Sequence, residues 1–255
     1  MAIKDNVYTQ GQNYMADLID GKTIVEEFKG HALAGLKAGT AGDGAYGDPT
    51  GTAGDENILL TDKNYFEYHI LGTQTLLAPV VDASGLDLQL DATANDGIEL
   101  TAGILTSSKS TFTVGTDAAF EFSATVEIQD VSGTDDFVIG FRKLEAYQAN
   151  VDDYDEMAAI NVESGDIKLE TILNGAATTT TDTTDNWADG ESKVVTVKVD
   201  AAGKVTYAID GAAPTTVAGF TFDDAEVVIP FIYALQDTDL TNIYVSKWEC
   251  GLTVN

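Results

Sequence analysis

The stretch Ser192–Gly211, SKVVTVKVDAAGKVTYAIDG, constrains the fold more than any other part of the chain. Val195, Val197 and Val199 alternate with Val194, Thr196 and Lys198, the run breaks at Asp200 to Gly203, and Val205, Tyr207 and Ile209 then alternate with Lys204, Thr206 and Ala208. Period-two alternation puts successive side chains on opposite faces of a strand, and a glycine in the loop supplies the positive φ that a short hairpin turn needs. The segment is read as a β-hairpin with one apolar face. Such a face has to be buried against a second layer.

The same pattern recurs from Tyr65 onward. Phe66, Tyr68 and Ile70 alternate with Tyr65, Glu67 and His69, and a run over 75–81 contains Pro79, which marks an edge or a bulge. Short strands are expected over 86–90, 97–105 and 110–114. In 119–131, Phe120, Phe122, Ala124, Val126 and Ile128 share one face, and Glu121, Ser123, Thr125, Glu127 and Gln129 share the other. This strand is half buried, and the direction of burial is fixed. Further strands are expected over 137–144, 157–162, 167–173, 226–235 and 242–254, with Pro230 placed at a bulge or where no N–H is needed. Residues 176–189, rich in Thr and Asp around Trp187, read as a loop. Turns this close together favour antiparallel pairing, so residues 63–255 are expected to form an all-β antiparallel β-sandwich.

Residues 1–62 differ in composition. Met15, Leu18 and Ile19 have the spacing of one short amphipathic helix, whereas residues 30–56 hold eight of the chain's 24 glycines, interleaved with alanine, and show no sustained period. The stretch is expected to be an extended Gly/Ala-rich N-terminal arm, either a flexible leader or a segment that orders along a partner. In the second case Leu33, Leu36, Tyr46 and Leu59 are its interface candidates.

Forty-two acidic residues stand against 13 basic ones, a formal net charge of −29. A phosphate backbone and an anionic membrane surface are both repelled by such a surface, so neither nucleic acid nor membrane is an expected partner. The first ten residues carry no apolar h-region, and synthesis in a cytoplasm without a secretion signal is the expectation. Cys250 is the single cysteine, expected to be buried near Trp248, so an intrachain disulfide is impossible.

The segments FEFSATVEI (120–128), FVIGFRK (137–143), EMAAINV (156–162), the hairpin at 200–211 and IYVSKWECG (243–251) follow one another in an order that resembles the concanavalin-like, laminin-G-like jelly-roll sandwiches. The stretch from Val131 to Gly175, followed by DTTDNWADGESK, is similar to virion structural proteins of tailed phages, marine and cyanobacterial ones especially. That resemblance implies a non-enzymatic capsid decoration or cement protein on the outside of a virion. Its implied partner is the major capsid protein, with a homo-oligomer on the capsid. An alternative is a carbohydrate-binding or adsorption module of a tail or fibre, with Trp187, Tyr147 and Tyr154 as stacking platforms.

Concanavalin-like sandwiches also include glycoside hydrolases, which is the second alternative. The carboxylate motif those enzymes carry on one strand is missing from 157–162, and Asp166 and Glu170 on one strand stand about 13 Å apart along the backbone. A cross-strand pair stays open at this level. No cofactor is expected. Calcium has one candidate, the acidic loop with Asp152, Asp153, Asp155 and Glu156, which supplies hard oxygen ligands but lacks the glycine and terminal glutamate of an EF-hand. Gly-rich residues 30–56 lack the G-K-[ST] of a phosphate loop.

Overall fold

A computed structural model describes residues 23–28, 33–37, 56–61, 64–72, 79–81, 83–88, 90, 93–103 and 109–253. In chain order the strands are β1 (Ile24–Glu27), β2 (Leu33–Lys37), β3 (Glu56–Leu60), β4 (Tyr65–Leu71), β5 (Val80–Val81), β6 (Leu86–Asp87), β7 (Gly97–Ala102), β8 (Phe112–Thr113) and β9 (Phe120–Ile128). They continue with β10 (Thr134–Lys143), β11 (Met157–Glu163), β12 (Asp166–Ile172), β13 (Thr179–Asn186), β14 (Glu191–Val199), β15 (Val205–Ile209), β16 (Val227–Gln236) and β17 (Ile243–Leu252). One sheet runs β15-β14-β9-β17-β6-β5 with β1 on β17, and the larger runs β13-β12-β11-β10-β16-β7-β4-β3-β2 with β8 on β16. Every pairing is antiparallel, and the chain is an all-β sandwich.

The hairpin of 192–211 forms as its alternation requires. β14 and β15 pair with Val197 opposite Tyr207, and Val195, Val197 and Val199 are buried. Gly203 turns the chain at φ +85, and a Cβ there would sit 2.6 Å from the Phe222 carbonyl, so only glycine fits. β14 then pairs with β9, whose residues alternate strictly between buried and half-exposed. Between the sheets the aromatic rings interlock: Phe120 stacks on Phe112 at 4.5 Å and meets Phe141 edge-on at 5.2 Å, and Phe122 lies 4.2 Å from Trp248. Cys250 is buried in the same core.

Three segments of the stretch expected as an arm are strands of the sandwich. β1 extends the smaller sheet beside β17, and β2 and β3 extend the larger one beyond β4. Leu59 is fully buried in the protein's own core, so it is not available as an anchor on a partner. Leu33 and Leu36 lie in β2, opposite Leu60 and Ile58. Tyr46 and the helix expected around Met15, Leu18 and Ile19 fall outside the described residues.

Residues 179–186, expected to be loop, are instead the edge strand β13, paired with β12 from Thr179 to Asn186. Threonine is β-branched and suits a pleated backbone, and an edge strand needs little apolar surface. Pro230 lies between the residues of β16 that pair with β8 (Val227, Val228) and those that pair with β7 (Phe231 to Leu235), where the missing N–H disturbs no ladder on that side.

The larger sheet is buried on both faces through its middle. On its outer face Leu71, Val138, Met157, Ala159, Ile172, Phe231 and Tyr233 form a second apolar cluster, roofed by Val151 and Tyr154 from the loop 144–156. This loop determines which part of the outer face stays open. As a test of the inner core, Phe141→Ala is expected to cost about 3–5 kcal/mol in urea unfolding, whereas Val194→Thr on the exposed hairpin face should stay within about 0.5 kcal/mol.

Candidate functional site

β10, β11, β12 and β13 are successive neighbours, and the two-residue turn at Ser164 and Gly165, both with positive φ, sets Glu163 opposite Asp166 and Ala159 opposite Glu170. That register gathers Asp136 from β10, Asn161 and Glu163 from β11, Lys168 and Glu170 from β12 and Thr180 from β13 at one place on the outer face. They flank an open groove of about 580 Å³ beside the roofed cluster, lined by five carboxylates (Asp135, Asp136, Asp152, Glu163, Glu170) with Ala177, Thr178 and Thr180. One oxygen atom from each of Asp136, Glu163 and Glu170 lies within 4.8 Å of the others.

Hydrogen bonds hold these groups in place. The buried Asn161 receives the Phe137 amide on its side-chain oxygen at 3.0 Å and donates to Asp136 at 2.6 Å. Lys168 pairs with Glu163 and reaches Asp166 at 4.0 Å. Thr178 donates to Asp152 at 2.5 Å, which ties the 144–156 loop to the β12–β13 connection along the rim of the groove. Burial pushes Asp136 up to about 6, against the opposing Asn161 amide and with help from the charges of Asp135 and Glu163. Burial and then the charge of Asp136 push Glu170 up to about 7. Near neutrality the groove therefore holds both protonated and ionised carboxyls, able to donate as well as accept hydrogen bonds.

A second set of polar residues on the same face is closed off. Arg142, 1% exposed, donates to Glu99 from Nε at 2.9 Å and from Nη2 at 2.6 Å, its guanidinium lies 4.4 Å over the Tyr154 ring, and Tyr154 also donates to Glu99. Beside them Glu67 sits 2.9 Å from both His69 Nε2 and Lys109 Nζ, and His69 stacks on Tyr147 at 4.5 Å. Each cation has its carboxylate, and the loop seals the cluster. Its role is to hold the loop on the sheet.

The residues singled out in the sequence are placed differently from one another. Trp187 is 2% exposed, packs in the inner core and donates its indole N–H to the Glu191 carbonyl at 2.9 Å, so it is no stacking platform. Tyr154 is buried under the loop, and Tyr147, half-buried, is occupied by His69. The acidic loop does not act as one ligand set either. Asp152 faces the groove, Asp153 is exposed, Asp155 pairs with Lys143 at 2.6 Å, and Glu156 is fully buried at the end of the sandwich. Glu170 and Asp152 were singled out in the sequence for other pairings, whereas Asp135, Asp136 and Glu163 were missed because they lie on two different strands and form no motif; counting the register back from the Ser164-Gly165 turn would have brought Glu163 and Glu170 to adjacent strands.

No family model and no curated protein matches the chain. Solved structures show weak likenesses. A mucin O-glycanase of the human gut microbiota matches at TM-score 0.49 and 13% identity, over 69% of this chain and 83% of its own. The binding domain of botulinum neurotoxin DC matches at 0.47 and 10%, over 93% of this chain, which spans 50% of that one. An alginate lyase of Pseudomonas aeruginosa matches at 0.44 and 12%, over 77% and 86% of the two chains. Similarity this low transfers no activity and no ligand.

The raised carboxyls have a consequence for stability. Asp136 and Glu170 hold their protons more tightly in the folded chain than at their ordinary values of 3.8 and 4.5, so their favourable contribution is complete below those values and is lost as the pH rises through about 6 and 7. Glu170→Gln should raise the melting temperature at about pH 8, by on the order of 2 kcal/mol in stability, and leave it nearly unchanged at about pH 4. Melting curves of both proteins across this range check it.

Proposed function

We propose that this chain is a glycan-binding β-sandwich and that the acidic groove on the outer face of the larger sheet is its binding site. The observation that carries the reading is the groove itself. Its volume of about 580 Å³ falls within the roughly 300–1,000 Å³ of small-ligand sites. Its walls are carboxylates and threonine hydroxyls, which suit a ligand dense in hydroxyl groups. Five carboxylates in a protein of net charge −29 exclude uronates, sulfated sugars and phosphates, so the ligand is a neutral or amino-bearing saccharide. The tryptophan and tyrosines first considered as platforms take no part. Recognition here is by hydrogen bonds, with a half-protonated pair at Asp136 and Glu170 able to meet a hydroxyl in either direction.

The nearness of Asp136, Glu163 and Glu170 favours glycoside hydrolysis as a second reading. One oxygen atom of each lies within 4.8 Å of the others, close to the separation of about 5–5.5 Å between the carboxyl groups of retaining enzymes. A carboxyl raised to about 7, as at Glu170, suits a general acid at neutral pH. The virion expectation concerns location and rests on the sequence resemblance alone. A glycan-binding sandwich displayed on a capsid would satisfy both, and purified particles carrying the chain in hundreds of copies would join them.

Screening the protein on a glycan array and titrating the best neutral or amino-bearing hit by calorimetry tests the binding reading. Asp136→Asn and Glu163→Gln should each weaken binding about tenfold or more, the loss of a charge-assisted hydrogen bond. Retention of full affinity in both variants would overturn the groove assignment. Release of reducing ends from the bound oligosaccharide, abolished in Glu170→Gln, would replace binding with hydrolysis.

A further inference from the structure

Asn161 is 0% exposed and stands opposite Val138 in β10 and Lys168 in β12. Asp136 lies two residues before Val138, and Glu170 two residues after Lys168, so both are diagonal neighbours of Asn161 on one face of the sheet. A carboxamide buried this completely has to be matched at its oxygen and at its nitrogen.

The matching runs in one direction. The Phe137 amide can only donate, and it lies 3.0 Å from Oδ1 of Asn161. That contact fixes the carboxamide against a flip and turns its NH₂ group to the carboxyls. Nδ2 donates to Asp136 at 2.6 Å, and the same side chain is hydrogen-bonded to Glu170. A carboxamide has two N–H donors, so Asn161 on β11 links a carboxyl on β10 to one on β12.

The other groups facing the pair do not supply this link. Asp135 of β10, Glu163 of β11 and Asp152 of the loop 144–156 repel a charge on Asp136, and Asp136, Glu163 and Asp152 repel one on Glu170. Lys168 is taken by Glu163 and Asp166, with Asp182 of β13 opposite it. Tyr233 of β16 gives its single hydroxyl hydrogen to the Ala149 carbonyl at 3.0 Å, and Thr180 reaches Glu170 only at 3.4 Å. Burial and the neighbouring charges favour a proton on both carboxyls, and the Asn161 amide opposes them on both.

We propose that Asn161 is the positioning residue of the groove: its pinned amide holds Asp136 and Glu170 as one unit and sets the pH range in which that unit binds a ligand. The second half rests on the glycan-binding reading of the groove; the first concerns the free protein. A carboxylate accepts several hydrogen bonds, so those from Asn161 leave acceptor positions for ligand hydroxyls. Without the amide the pair shifts toward two protons near neutrality, and the groove loses acceptors.

NMR titration of the side-chain carboxyls in the wild type, Asn161→Leu and Asn161→Thr tests the first half, with Asp136→Asn and Glu170→Gln assigning the signals. Calorimetric titration of the best glycan-array hit across about pH 5 to 9 tests the second. Leucine keeps the volume and removes the amide; threonine suits a strand, keeps a hydroxyl oxygen and is too short to span both carboxyls. In Asn161→Leu both midpoints should move upward by about half to one pH unit, the loss of one hydrogen bond to each charged form. In Asn161→Thr at least one should move, and the pH profile of affinity should follow in both variants. Melting curves show which variants are folded; if leucine is not tolerated, threonine carries the test. Unmoved midpoints in a folded variant would reduce Asn161 to a structural residue and overturn the proposal. Moved midpoints with an unmoved affinity profile would overturn its second half and leave the groove reading standing. If no glycan binds the wild type, the glycan reading falls with the second half, and the midpoints still decide whether Asn161 holds the pair.

Discussion

The buried pair of Arg142 and Glu99 is what the outer half of this molecule is built around. The two stand on β10 and β7, on either side of β16, with both charges removed from water. Such a pair survives only where its remaining donors and acceptors are met. Here Tyr154 completes the second oxygen of Glu99, and the Lys143 carbonyl takes Nη1 of Arg142 at 3.0 Å. Tyr154 belongs to the loop 144–156. Satisfying the ion pair and roofing the sheet are therefore one event, and removing either partner would leave a charge buried beneath the loop.

The roof in turn explains why the open groove lies where it does. The loop covers the outer face over Val138, Met157, Phe231 and Tyr233, residues too apolar to face solvent. Further along β10, β11 and β12 the outward residues become Asp136, Asn161, Glu163, Lys168 and Glu170, and no roof is needed. One strand thus changes from apolar to acidic on the same face, and the boundary between covered sheet and groove follows that change.

This boundary also separates what was legible in the sequence from what was not. β9, β14 and β15 bury one face only, so their alternation announces strand, direction and core together. β10, β11 and β16 are buried on both faces; their apolar runs show that they are strands but not what covers the second face. That depends on Val151 and Tyr154, apolar residues within an acidic loop that reads as solvated. β13 was hidden for the opposite reason, because Thr and Asp on an edge strand leave no hydrophobic period. In residues 24–60 the strands are short and glycine-rich sequence surrounds them, so their membership of the sheets rests on pairing with distant residues such as Trp248, opposite Glu26.

The carboxylates of the groove relieve their mutual repulsion within the groove itself. In the groove, Asp136 and Glu170 have Asn161, Lys168 and Thr180 within the same patch, and raised proton affinity is enough to relieve their mutual repulsion. The pair can exist near neutrality with one proton too many or too few, which suits a surface that meets hydroxyl groups.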